Sequence, residues 1–148
     1  MAPDSGGKKP ERATGYLLIA HGGLAGEMLN ALEFITGKRE NYRALAIDHA
    51  LEVDKARKIV EETVDAMMGE SGVLVFTDLF GGAPSNIALS LLGDRNMEIV
   101  AGVNLPMLLR SVTLDSQMGL KEKAELLRDY GRNNIFIATE VLSGRMKR

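Results

Sequence analysis

The chain has 148 residues, of which 45% are hydrophobic, and a formal net charge of -2, a composition typical of one globular domain. Acidic and basic residues are balanced and interspersed, which argues against a nucleic-acid-binding surface. The sequence contains no cysteine, so disulfides, thiolate nucleophiles and thiolate metal ligands are excluded. No apolar run approaches the ~20 residues of a membrane span, and we expect a cytoplasmic protein.

The first fourteen residues are rich in Gly, Lys and Pro and lack the apolar segment of a signal peptide. We interpret 1–14 as a flexible N-terminal tail and 15–148 as a single domain. After the tail, strand and helix patterns alternate. Strands are predicted at 15–20, 42–47, 72–77, 98–103 and 135–139. Helices are predicted at 25–37, 53–69, from Pro84 onwards, at 107–112 and at 120–130.

The alternation of strands and helices predicts the fold class. The third predicted strand is almost continuously apolar, which is typical of a strand covered on both faces. Helical connections between successive strands favour a parallel arrangement. We therefore expect an α/β protein with an open, mostly parallel sheet and helices on both faces.

The first predicted strand leads directly into His21, and two glycines follow it. In open α/β sheets, ligands bind at the carboxyl ends of the strands. An imidazole at that position can titrate, bind a metal or attack an electrophile. Because the chain has only two histidines and no cysteine, His21 is the leading candidate for a nucleophile.

The third predicted strand ends at Asp78. If the first and third strands are neighbours, the side chains of His21 and Asp78 project into one crevice. Asp78 would then accept a hydrogen bond from one ring nitrogen of His21 and leave the other nitrogen free as a nucleophile. The alternative is that Asp78 only caps the following turn, and the spacing favours neither interpretation.

The turn at Gly81 and Gly82 precedes Pro84, which suits the first turn of a helix. Backbone N–H groups in such a turn can approach a phosphoryl group closely. The alternative is a tight turn that needs glycine for its positive φ. The glycine-rich nucleotide-binding loops are absent from the sequence.

His49 raises the possibility of a metal site, because it follows Asp48 at the end of the second predicted strand. Imidazole and carboxylate groups from these residues, His21 and Asp78 would suit several divalent ions. The sequence has no His-Glu-x-x-His spacing, however. We therefore predict no metal and no cofactor, with His49 on an exposed loop near the site.

Three sequence blocks together resemble the IIA domain of the mannose-family phosphotransferase system (PTS), over about 16–140. They are the apolar strand with His21-Gly22-x-x-Ala25, then Asp78-x-x-Gly81-Gly82-x-Pro84-x-Asn86, then the run from Ala101 to Leu108. The resemblance implies that His21 is the phosphoryl acceptor at Nε2 and that Asp78 orients the ring from the Nδ1 side. We expect backbone N–H groups to bind the phosphoryl group, and they are those of Gly22, Gly81, Gly82 and Ala83.

The resemblance also implies partners and assembly. The phosphoryl group would come from the phosphohistidine of HPr and pass to a IIB component of a membrane-associated sugar-uptake complex. A homodimer is implied, in which the last strand is antiparallel and exchanged between subunits. Two alternatives remain: a regulatory phospho-relay or binding module without sugar transport, and a phosphoryl donor for dihydroxyacetone kinase.

Overall fold

A computed structural model describes residues 13–144. In this part of the chain four strands form one parallel sheet in the order β2-β1-β3-β4. The strands are β1 (Gly15–His21), β2 (Tyr42–Ile47), β3 (Val73–Thr77) and β4 (Met97–Ala101). The order confirms the predicted open parallel sheet. It also makes the first and third strands neighbours, the condition for His21 and Asp78 to share one crevice.

Six helices accompany the sheet in the described residues, and five of them follow the predicted segments to within a few positions. They are α1 (Leu24–Thr36), α2 (Val53–Met67), α3 (Ala83–Ser90), α4 (Leu105–Ser111), α5 (Leu120–Asn133) and α6 (Ala138–Leu142). Pro84 stands in the first turn of α3, where its missing N–H costs no helical hydrogen bond. Asn104 caps α4 by accepting a hydrogen bond from the N–H of Met107 at 3.0 Å.

The strands bury side chains on both faces, because alternate residues point to opposite sides of a sheet. Tyr16 and Leu18 of β1 pack with α1, α4 and α5 on one face. Leu17 and Ile19 pack with α2 and α3 on the other. This arrangement explains the continuous apolar pattern of β1 and β3. It also places the carboxyl ends of these two central strands at the point where the strand order reverses, the usual ligand position in such sheets.

The predicted strand at 135–139 does not form in the described chain. Residues 134–137 carry no regular secondary structure, and α6 begins at Ala138. The β-branched and aromatic residues Ile135, Phe136 and Ile137 suggested a strand, but a strand needs a neighbouring strand for its hydrogen bonds. No segment of the described chain pairs with them. Exchange of this segment between two subunits remains a prediction.

The folded part of the chain begins before the predicted boundary at Gly15. Thr14, which belongs to the predicted tail, is buried, and its Oγ1 accepts a hydrogen bond from Lys123 Nζ at 2.8 Å. Its carbonyl oxygen accepts a hydrogen bond from Asn41 Nδ2 at 3.0 Å. The tail prediction for residues 1–12 lies outside the described residues. Among the helices that the structure describes, none is long and apolar enough to cross a membrane.

Candidate functional site

The site is built around His21, the last residue of β1. Gly22 follows with φ of 55°, a conformation that side-chain-bearing residues rarely adopt, and its N–H donates to the carbonyl oxygen of Ile47 at 3.2 Å. This bond ties the turn after β1 to the end of β2. The imidazole remains 37% exposed, so a reaction partner can reach it.

Asp78, directly after β3, holds the His21 ring from one side. Its Oδ2 lies 2.7 Å from Nδ1 and also accepts a hydrogen bond from the backbone N–H of His21 at 3.1 Å. Its Oδ1 accepts a hydrogen bond from the N–H of Leu79 at 3.0 Å. The two interpretations of Asp78 are therefore compatible, because one oxygen orients the histidine and the other caps the turn.

The charge state of Asp78 fixes the proton on the ring. Burial tends to raise the pKa of this carboxyl group, but the hydrogen bonds from His21 and Leu79 outweigh burial and hold the pKa below its ordinary value. An ionised carboxylate can only accept hydrogen bonds. We therefore assign the proton to Nδ1, which leaves the lone pair of a neutral ring on Nε2.

Gly82 lies against the opposite side of the imidazole. A Cβ atom added to Gly82 would lie 2.8 Å from Cε1 and 3.2 Å from Nε2 of His21. Gly81, with φ of 91°, makes the turn that brings Gly82 there, and its N–H donates to Oγ of the buried Ser85 at 3.0 Å. Gly82 is also the N-cap residue of α3, so the positive end of this helix faces the ring.

The four residues expected to bind a phosphoryl group differ in what their backbone N–H groups do. Those of Gly22 and Gly81 already donate to Ile47 and Ser85. Those of Gly82 and Ala83 have no hydrogen-bond partner within residues 13–144. The free donors are therefore the two at the amino end of α3, beside Nε2, and they suit an anion there.

Sequence analysis did not find the roles of Ser85 and Ile47. The hydroxyl of Ser85 accepts the hydrogen bond from the Gly81 N–H and so holds the glycine turn in place. The sequence feature that could have indicated this role is the position of Ser85, four residues after Gly81 and near the start of a helix. A backbone acceptor such as the carbonyl of Ile47 leaves no signal in the side-chain sequence.

His49 lies near His21 without joining it. The two ring centroids are 6.5 Å apart and the ring planes are tilted by 39°. In the described part of the chain, no three His, Asp or Glu side chains come together as a possible metal-ligand set. The structure therefore brings His21 and Asp78 together and places His49 beside them on the loop after β2.

Exposed apolar residues follow both strand ends within three positions in the chain. Leu24, Leu79 and Phe80 are all exposed, Phe80 to 77% of its full area. Exposed apolar groups around a reactive residue are typical of surfaces that bind another protein. The arrangement can therefore present an imidazole nucleophile, a carboxylate and two backbone donors to a macromolecular partner.

Comparison with known proteins identifies the family of this chain. The family model EIIA-man, described as PTS system fructose IIA component, matches residues 15–127. The PTS system fructose-specific EIIA component of Bacillus subtilis is 26% identical over 127 residues, which are 85% of this chain and 87% of that protein. The mannose-specific EIIAB component of Escherichia coli K12 is 28% identical over 121 residues, 78% of this chain but only 36% of that larger protein.

Solved structures agree with the sequence comparisons. The PTS IIA protein associated with the fucose utilization operon from Streptococcus pneumoniae superimposes with a TM-score of 0.78 and 28% identity, over 89% of this chain and 98% of that one. The EIIA component from Streptococcus agalactiae has the same fold, with a TM-score of 0.77 and 22% identity over 85% of this chain and 98% of that one. Since the family model matches most of its length, this chain belongs to the EIIA-man family of PTS IIA components.

Proposed function

We propose that this protein carries a phosphoryl group on Nε2 of His21 between two protein partners in the cytoplasm. It would accept the group from phospho-HPr and deliver it to a IIB component. Family membership supports a phosphocarrier role. The observation that carries the site assignment is the 2.7 Å contact between His21 Nδ1 and Asp78 Oδ2, which leaves Nε2 as the nucleophilic nitrogen.

The transfer step requires no cofactor. The Nε2 lone pair forms a new bond to phosphorus, while the N–P bond of the donor's phosphohistidine breaks and its electron pair returns to the donor ring. The proton on Nδ1 stays in place, so the His21 ring gains positive charge. The Asp78 carboxylate stabilises that charge at hydrogen-bond distance.

The remaining requirement is support for the phosphoryl oxygens, because phosphoryl transfer depends mainly on positioning and electrostatic stabilisation. The unpartnered N–H groups of Gly82 and Ala83 are the candidates. The close approach of Gly82 to the ring brings them towards Nε2. Delivery to the IIB component would reverse the same step, with the acceptor's nucleophile attacking the phosphorus.

The test is phosphorylation with phosphoenolpyruvate, enzyme I and HPr. The wild-type protein should gain one acid-labile, alkali-stable phosphoryl group per chain, and His21→Ala should gain none. His49→Ala is the matched control, because it removes the neighbouring imidazole, and it should be labelled normally. Labelling that persists in His21→Ala, or that is lost only in His49→Ala, contradicts the assignment.

A further inference from the structure

A polar cavity of about 310 Å³ lies at the opposite end of the sheet from His21. Its lining includes Tyr16 at the start of β1, Tyr42 at the start of β2 and Lys123 in the first turns of α5. Tyr16 and His21 are five positions apart on one strand, which corresponds to roughly 16 Å at the usual rise per residue. The cavity is therefore separate from the phosphocarrier site.

Lys123 is a buried cation that forms no ion pair with any carboxylate of the described residues. The residue is only 4% exposed, and within residues 13–144 its side chain makes one hydrogen bond, from Nζ to Thr14 Oγ1 at 2.8 Å. No Asp or Glu of residues 13–144 lies within ion-pair distance of it. Burial lowers the pKa of Lys123, and Asp115 opposes that shift only in part. Buried ammonium groups are normally paired with an anionic group. The ammonium group of Lys123 has three N–H donors, and one of them is used by Thr14.

The rest of the lining also favours an anion. Arg39 contributes a second cation, and no Asp or Glu is among the described residues that line the cavity. The buried Tyr16 has a hydroxyl with no hydrogen-bond partner within the described chain, whereas the hydroxyl of Tyr42 is bonded to Ser111. Burial raises the pKa of both tyrosines, that of Tyr42 to about 12, so both remain neutral hydroxyl groups at neutral pH.

We propose that this cavity binds a small metabolite through an oxyanion group, either a phosphate ester or a carboxylate, with Lys123 as its main partner. The cavity volume falls within the range of small-ligand sites. Two cations and a free tyrosine hydroxyl are the polar groups that such a ligand needs, and no carboxylate among the described lining residues would repel it. The proposal concerns a second site and does not depend on the role of His21.

The test is an NMR titration of backbone amides with inorganic phosphate and, separately, with malonate, at constant ionic strength set by NaCl. We expect one or both to shift the amides of Tyr16, Tyr42 and Lys123 saturably, and the anion that saturates identifies the oxyanion class. Lys123→Gln should weaken binding at least tenfold. Lys121→Gln is the matched control, because it removes the same charge from an exposed position on α5. No saturable shift at these amides with either anion, or equal affinity in Lys123→Gln, overturns the proposal.

Two further variants keep the test decisive if Lys123→Gln fails to fold. Arg39→Gln removes the second, half-buried cation and should weaken binding several-fold, whereas unchanged affinity overturns the proposal. Glu11→Gln tests whether the chain supplies its own anion, since Glu11 precedes Thr14 by three residues. If Glu11→Gln binds the added anion as tightly as the wild-type protein does, the cavity takes a free ligand. If the anion binds to Glu11→Gln but not to the wild-type protein, the proposal is overturned.

Discussion

Asp78 Oδ2 accepts two hydrogen bonds from the same residue, one from the Nδ1 side of His21 at 2.7 Å and one from its backbone N–H at 3.1 Å. The carboxylate therefore fixes the end of β1 and the orientation of the ring together. Because the bond to Leu79 in turn holds the carboxylate, the ring is positioned by the ends of two adjacent strands. This coupling makes Asp78 the first residue to test.

We expect Asp78→Asn to fold normally and to take up the phosphoryl group about 10- to 100-fold more slowly, a loss comparable with that from removing the hydrogen-bond partner of a metal-bound histidine. The asparagine amide can donate to Nδ1, which moves the ring proton to Nε2 and blocks the nucleophile. The measurement is the single-turnover rate with phospho-HPr. An unchanged rate, with intact circular dichroism, would reduce Asp78 to a turn cap.

Asp78 should also make stability depend on pH in the acid range. Burial raises its pKa, but the hydrogen bonds from His21 and Leu79 outweigh burial and leave the folded-state pKa below the ordinary 3.8. A group of this kind stabilises the fold fully above its unfolded-state pKa and loses that effect as the pH falls through the folded-state value. Between about pH 5 and about pH 2, the wild-type protein should therefore lose more unfolding free energy than Asp78→Asn. Parallel urea-unfolding profiles for the two proteins would contradict this.

Gly82→Ala should slow phosphorylation without unfolding the protein. The new Cβ would lie 2.8 Å from His21 Cε1, so the ring must move. Because φ of Gly82 is -84°, the backbone itself accepts alanine and the effect is steric. Displacements of about 1 Å can cost roughly 100-fold in rate. Gly23→Ala is the control, since its Cβ would meet no atom within 4 Å. Equal rates for the two variants would show that Gly82 does not position the ring.

The sequence was sufficient to predict most of the fold and the proximity of the His21 and Asp78 side chains. Apolar periodicity located the four observed strands, and the position of His21 and Asp78 after two of them suggested one crevice. The prediction succeeded because a parallel sheet gathers its carboxyl strand ends at one edge, whatever the details of packing.

The parts that could not be predicted depend on contacts between distant segments. The burial of Thr14 results from its bonds to Asn41 and Lys123, which no local pattern reveals. The engagement of the Gly22 N–H with Ile47 is likewise a backbone contact between strands. The segment at 135–137 has strand-like residues but no partner strand within the described chain, so a strand there depends on pairing with a second copy, which no local pattern reveals.

That segment leads to the last prediction, which concerns the oligomeric state. Ile135 and Ile137 are 74% and 61% exposed, an unfavourable state for apolar residues. Beside them, β4 is an edge strand that pairs only with β3 within residues 13–144. A groove of about 460 Å³ runs between β4 and α5. An unpaired edge next to an apolar segment favours strand addition from a second copy.

We therefore expect a homodimer at micromolar concentration, held in part by exchange of this segment. Light scattering should give twice the chain mass for the wild-type protein. Phe136→Glu should lower the measured mass towards that of the monomer, because burying a carboxylate in the interface is strongly disfavoured. Val53→Glu places the same charge at an exposed apolar position at the start of α2 and should leave the dimer intact. A monomer mass for the wild-type protein would contradict the exchange, as would equal dimer stability in Phe136→Glu and Val53→Glu.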